Sequence, residues 1–288
     1  MSLDPRSSRL TANRLQTFRL PLTVGEVGVD IAGMWRDGTG VPLVFLHGFG
    51  STKEDYADVV QQACLSDRPV LAYDAPGCGV TTCSDFAALS IPFLVSVASE
   101  VLRAKRVERF HLIGHSMGGL TALLLADQDP TKVVSFVNIE GNLAPEDCFL
   151  SRQIVSHPHP DPRIFFDQFA DRVWNAGGYS SSLYVSALPH KVRVHAVRPI
   201  FESMVHLSDH GNLLERFLSL PLPKMFMYGQ QNNSLSYLTW LAENGIELAE
   251  ISHSAHFPMY SNAPDMWSRI TEFVVRSSKE DEQGAGAS

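Results

Sequence analysis

The chain is short of cysteine, of basic residues and of long apolar runs, and each shortage closes off a class of protein. Four cysteines occur in 288 residues. They are Cys64, Cys78, Cys83 and Cys148, with no C-x-x-C pair and no metal-type clustering, so neither a disulfide framework nor a zinc site is expected. Reduced structural thiols in an intracellular protein are the plain reading. Lys and Arg number 23 against 31 Asp and Glu, a net charge of −8, with no long basic run, so nucleic acid is not an expected partner. No segment is apolar for long enough to span a membrane. The first twenty residues carry charges throughout and no apolar core, which argues against a secretory signal; Asp4 and the missing amphipathic stripe argue against a transit peptide. A soluble, cytoplasmic protein is the resulting expectation. Internal repeats are absent. From Ser277 onward no apolar residue exceeds alanine, and 277–288 is expected to be a disordered tail.

What is present is ordinary globular material, 44% hydrophobic and 19% charged, in a length that suits one large α/β domain with an inserted module. Residues 15–35 alternate loosely between glycines and Pro21, as one or two antiparallel edge strands would. Short runs at 42–46, 70–73, 110–113 and 133–139 are apolar on both faces, the mark of strands covered on both sides. Helical patterns separate them at 53–64 (with Ser51-Thr52 as N-cap), 91–105 and 119–127. The alternation predicts an α/β fold built on a mostly parallel, doubly wound sheet. It lapses over 142–220, where only 164–174 and 199–207 have helical spacing and S-H-P-H-P-D-P fills 156–162. That stretch is too long for a loop and predicts a helical cap, 142–220, inserted into a core of 1–141 and 221–276. Strands at 224–228 and 247–251 and helices at 236–244 and 264–276 then resume the rhythm.

Open parallel sheets gather their active sites at the carboxyl ends of the strands. The polar residues at those ends are His47, Asp74, Ser116, Glu140, Asn232 and His256. Ser116 stands in F-H-L-I-G-H-S-M-G-G-L (110–120), a G-x-S-x-G between a predicted strand and a predicted helix. In that setting the serine occupies a sharp turn, and small neighbours let strand and helix close on each other. With H-G-F-G at 47–50, D-A-P-G-C-G at 74–79, G-H-S-M-G-G at 114–119 and H-F-P at 256–258, in that order, the chain resembles the α/β-hydrolase superfamily over about 40–275.

The resemblance implies a serine hydrolase with Ser116 as nucleophile and His256, just before the final helix, as its base. His253 is the weaker candidate, and the other histidines, among them His115, His157 and His159, read as structural or surface groups. Most relatives carry an aspartate in a G-x-x-D segment after the strand at 224–228. Here the segment is Gly229-Gln-Gln-Asn232, without a carboxylate. Some relatives place the acid one strand earlier, where this chain has Glu140; Asp147 is a distant second. Asp74 reads as a loop-fixing residue. The resemblance also implies an oxyanion hole from the Phe49 and Met117 backbone N–H groups. The expected reaction is acyl transfer to water on a carboxylic ester, lactone or thioester, with no cofactor and no metal. Phe149, Phe165, Phe166, Phe169, Trp174, Tyr179, Tyr184, Phe201 and Met204 make the cap aromatic-rich, so a rather apolar small molecule is the expected substrate. Two alternatives share the fold: a C–C bond hydrolase acting on a diketone, and a non-turnover small-molecule receptor. Epoxide hydrolases and haloalkane dehalogenases need a carboxylate where Ser116 stands. Oligomeric state is left open, a dimer included.

Overall fold

Strands that are apolar on both faces must be covered on both, and the structure meets that demand with one twisted sheet between helices. It is a computed structural model that describes residues 14–159, 161–175 and 178–286. Among these residues nine strands run, in chain order, β1 (Gln16–Val24), β2 (Val27–Arg36), β3 (Leu43–Leu46), β4 (Val70–Tyr73), β5 (Thr82–Cys83), β6 (Phe110–His115), β7 (Val133–Ile139), β8 (Lys224–Gly229) and β9 (Glu247–Ile251). In the sheet they lie β1-β2-β4-β3-β6-β7-β8-β9, with β5 paired to β2. Every pairing from β4 to β9 is parallel. β1 and β2 form an antiparallel hairpin, and β2 also pairs with β4, so β1 lies at one edge of the sheet and β9 at the other. Strand order reverses between β3 and β6, the switch point outside whose carboxyl ends ligands bind in such sheets.

Helices α1 (Ile91–Ala104) and α2 (Met117–Gln128) follow β4 and β6. α1 starts where Ser90 Oγ accepts the Phe93 N–H at 3.2 Å, with Pro92 in its first turn, a donor-capping arrangement. β3 shows how the two faces fill: Leu43 and Phe45 join Tyr56 and Trp267, while Val44 and Leu46 join Val95 and Leu123. The helix expected over 53–64 is instead a 3-10 helix, Lys53–Gln61. Its buried charges are held from outside the turn, Lys53 by Asp74 at 2.9 Å and Asp55 by Lys191 at 3.0 Å.

Between β7 and β8 come α3 (Phe149–Val155), α4 (Pro162–Asn175), α5 (Ser181–Lys191), α6 (Val194–His210) and α7 (Leu213–Ser219). The α5–α6 junction is stitched to the loop after β4. Gly79 N–H donates to the Lys191 carbonyl at 2.8 Å, and Arg193 N–H donates to the Gly77 carbonyl at 2.9 Å. Cys78 and Val192 form a bridge between them. Short α8 (Leu238–Glu243), α9 (Pro258–Ser261) and the long α10 (Ala263–Gly286) complete the chain.

α10 overturns the expectation of a disordered tail from 277. Ser277 and Ser278 are buried, and Ser278 Oγ donates to the Val274 carbonyl at 2.8 Å while sitting 2.9 Å from His111 Nε2. Arg68 donates to the same hydroxyl, and Arg109 pairs with Asp281. Polar anchoring replaced the apolar anchoring whose absence had suggested disorder. Residues 1–13, 160, 176–177 and 287–288 lie outside the described residues. With them lie most of the N-terminal stretch read for targeting signals, one position of the His- and Pro-rich segment, and the end of the tail. No helix among the described residues is long and apolar enough to cross a membrane.

Candidate active site

Close approach of backbones explains the sequence of the turn at Ser116. A Cβ on Gly118 would stand 2.2 Å from the Leu46 carbonyl oxygen, and one on Gly114 would stand 2.6 Å from the Gly118 carbonyl. Only hydrogen fits at either place. Ser116 itself has φ 51° and ψ −121°, a conformation that costs a side-chain-bearing residue on the order of 1–3 kcal/mol. The turn is held from outside, since Ser116 N–H donates to the Ile139 carbonyl at 2.9 Å. Met117 opens α2, so its N–H has no acceptor within the helix and sits at the positive end of the helix dipole.

Glu140 is a second strained residue, with φ 45°, one step past the end of β7. Its N–H donates to the Met227 carbonyl at 3.0 Å. The side chain is buried and every bond it makes favours the charged form. Oε1 accepts from Gly229 N–H at 2.7 Å and from Asn232 Nδ2 at 2.9 Å. Oε2 accepts from Asn232 Nδ2 at 2.7 Å and from His256 Nδ1 at 2.6 Å. Burial alone would push this carboxyl up, but His256, Gly229 and Asn232 together outweigh it and hold it below the usual glutamate value. Because Nδ1 of His256 donates to a carboxylate, the ring presents Nε2 as the atom free to accept a proton.

Ser116, Glu140 and His256 all line one cavity of about 400 Å³. Among the described residues no hydrogen bond joins the Ser116 hydroxyl to the imidazole. Such bonds are often long without substrate and tighten in the complex. Of the aromatic and Met supply expected from 142–220, Phe149, Phe169, Tyr184, Phe201 and Met204 line the cavity. Phe165 is buried beside Phe169 at 5.9 Å, whereas Trp174 and Tyr179 are exposed. Phe49 lines the cavity too, with its ring 4.4 Å from Phe201. Its carbonyl accepts from the Tyr184 hydroxyl at 3.3 Å, so a residue of α5 braces the loop after β3.

His47 and Asp74 support that loop. His47 Nε2 accepts from Ala75 N–H at 2.9 Å and Nδ1 lies 2.8 Å from the Gly48 carbonyl, which fixes a neutral ring protonated at Nδ1; burial likewise holds its pKa down. Asp74 accepts from Lys53 N–H, Lys53 Nζ and Val80 N–H at 2.9–3.0 Å. Neither lines the cavity. His253 stays outside it and is exposed. Among the described residues no three His, Cys, Asp or Glu side chains cluster as metal ligands would.

Sequence reasoning missed two contacts. Asn232, named as a polar residue at a strand end, turns its amide to Glu140. His115, read as structural, donates from Nε2 to the His256 carbonyl at 2.7 Å. Its burial, with His256 beside it, lowers its pKa to about 3, so the ring stays neutral. No local pattern signals either contact, because each joins residues far apart in the chain.

The residues 43–268 match the model of the Alpha/beta hydrolase family. The chain belongs to that family. The sn-1-specific diacylglycerol lipase ABHD11 of Xenopus tropicalis is 32% identical over 115 residues, 39% of this chain and 35% of that protein. A proline iminopeptidase of Lactobacillus delbrueckii subsp. bulgaricus is 26% identical over 211 residues, 70% of this hydrolase-family chain and 63% of its own. The match thus spans well under half the length of the first curated relatives, 35% to 42% of them. A solved complex of a mutant of the N-acyl homoserine lactonase AidH with N-hexanoyl homoserine lactone superposes with a TM-score of 0.71. It is 16% identical and covers 92% of this chain and 99% of its own, a likeness of fold.

Proposed function

We propose that this family member is a serine hydrolase that cleaves a carboxylic ester, lactone or thioester of a rather apolar small molecule through an acyl-enzyme. The observation that carries this reading is the 2.6 Å bond between buried Glu140 and His256 at the cavity that Ser116 also lines. In the proposed mechanism His256 Nε2 takes the Ser116 proton as Oγ attacks the carbonyl carbon, and Glu140 stabilises the imidazolium that forms. The Phe49 and Met117 N–H groups would hold the oxyanion. The imidazolium then protonates the leaving group, and water, deprotonated by His256, releases the acyl chain. The helices over 142–220 serve as the cap that selects the acyl part, and the largely apolar cavity wall favours an uncharged chain.

A fluorophosphonate probe tests the reading directly. Wild type is expected to label at Ser116 and to turn over repeatedly on a panel of short-chain p-nitrophenyl esters, lactones and thioesters, whereas Ser116→Ala does neither. A Ser116→Ala variant with wild-type turnover would overturn the mechanism. Labelling with a single burst and no turnover would indicate a receptor, and turnover confined to vinylogous diketones would indicate C–C hydrolysis.

A further inference from the structure

We propose that Asn232 is a positioning residue for Glu140: its uncharged amide clamps both carboxylate oxygens, so that Oε2 is the one presented to His256. The inference rests on the reading above of Ser116, His256 and Glu140 as the reacting set. Nδ2 lies 2.9 Å from Oε1 and 2.7 Å from Oε2. One donor spanning both oxygens fixes the rotation of the carboxylate plane, which a single bond cannot do. Gly229 N–H, at 2.7 Å from Oε1, leaves Oε2 as the oxygen turned to the imidazole. Asn232 closes the 3-10 turn Gln230–Asn232 directly after β8, so the clamp is tied to the neighbouring strand rather than to a free loop.

The amide also matters by what it is not. An aspartate at 232 would set a second carboxylate within hydrogen-bond distance of the first, and two such groups cannot both be ionised without a shared proton. The titratable groups around Glu140 are His256 and His115, with Tyr237, and on the same cavity wall Asp147 and Glu146. None of these is a lysine or an arginine that could absorb a second negative charge. The carboxamide therefore keeps Glu140 singly charged and correctly turned.

The test compares wild type with Asn232→Asp and Asn232→Ala. It reads the pH dependence of kcat/KM on p-nitrophenyl butyrate and of the fluorophosphonate labelling rate. Asn232→Asp is expected to move the acid limb of both profiles upward by about one unit or more, the signature of a carboxylate pair sharing a proton. Asn232→Ala is expected to lower kcat roughly tenfold with KM within about twofold, the scale of one lost bond to a charged group. If Asn232→Asp fails to give a cooperative melt, Asn232→Ala decides alone. Wild-type profiles and rates in the folded variants would overturn the inference. Ser116→Ala and Glu140→Gln are run alongside. If those two retain activity, the catalytic reading itself has failed; if they lose it while the Asn232 variants do not, only the clamp has failed.

Discussion

Replacing Glu140 by glutamine keeps the length and shape of the side chain and removes only its charge and one acceptor. Three donors from other residues converge on the carboxylate: Gly229 N–H, the Asn232 amide, and His256 Nδ1 at 2.6 Å. A carboxamide can turn its oxygen toward either side but not both, so its NH2 group must face the Asn232 amide together with either Gly229 N–H or His256. If the oxygen stays with Gly229, the imidazole loses its acceptor and can adopt the tautomer that protonates Nε2, which disables the base. The equivalent carboxylate-to-amide change in a serine triad lowers kcat by about 10⁴, which corresponds to roughly 5.5 kcal/mol of transition-state stabilisation. We expect kcat to fall by about 10³–10⁴ in Glu140→Gln, with a thermal midpoint shifted by only a few degrees. Steady-state hydrolysis of p-nitrophenyl butyrate and a melting curve on the same preparation measure both. A folded variant within threefold of wild-type kcat would refute the assignment of Glu140 as the orienting acid.

Three further predictions test the neighbourhood. Gly118→Ala would press a methyl group against the Leu46 carbonyl, 2.2 Å away, and should cost about 3 kcal/mol of stability in urea denaturation; an unchanged midpoint would mean the turn relaxes freely. Tyr184→Phe removes the hydroxyl that bonds the Phe49 carbonyl and should lower kcat roughly fivefold, the worth of one neutral hydrogen bond, with the melting temperature nearly unchanged. Asp147 accepts from the Leu143 and Ala144 N–H groups and from Tyr237, yet its burial raises its carboxyl from 3.8 to about 6. A carboxyl that holds its proton more tightly when folded stabilises the fold fully below about pH 3.8, and that contribution is lost as pH rises through about 6. The difference is at most on the order of 3 kcal/mol. Asp147→Asn should therefore gain stability relative to wild type between pH 4 and pH 7, and a pH-independent gap in thermal midpoints would contradict this.

The fold was legible because β3, β4, β6 and β7 are apolar on both faces, a pattern that only a covered parallel sheet satisfies. The Ser116 turn was legible because its steric requirement is local: Gly114 and Gly118 are demanded by atoms a few residues away or on the adjoining strand. Glu140 is what the family resemblance implies: the usual acid position is empty, with no carboxylate between Tyr228 and Ala242, and some relatives place the acid one strand earlier. The structure brings it to His256 across 116 residues of chain. What escaped were contacts with no local trace. The direction of the Asn232 amide depends on how β7 and β8 align, and the His115 bond to the His256 carbonyl spans 141 residues. The C-terminal helix escaped because Ser278, bonded to Arg68 and His111, and Asp281, paired with Arg109, anchor it where the pattern rules expect leucines.

The stitch between 77–79 and 191–193 bears on how such a protein can be re-engineered. Exchanging the helices between β7 and β8 is the obvious route to a new specificity, since those helices supply much of the cavity wall. The exchange cannot be made as a clean cassette, however, because the insert returns the carbonyl of Lys191 and the amide of Arg193 to a loop of the core. A donor insert that lacks this ladder would leave Gly77 and Gly79 backbone groups unpaired and the loop after β4 unmoored. A transplant must therefore carry residues 77–79 with it, so the unit to move is the inserted helices plus this loop.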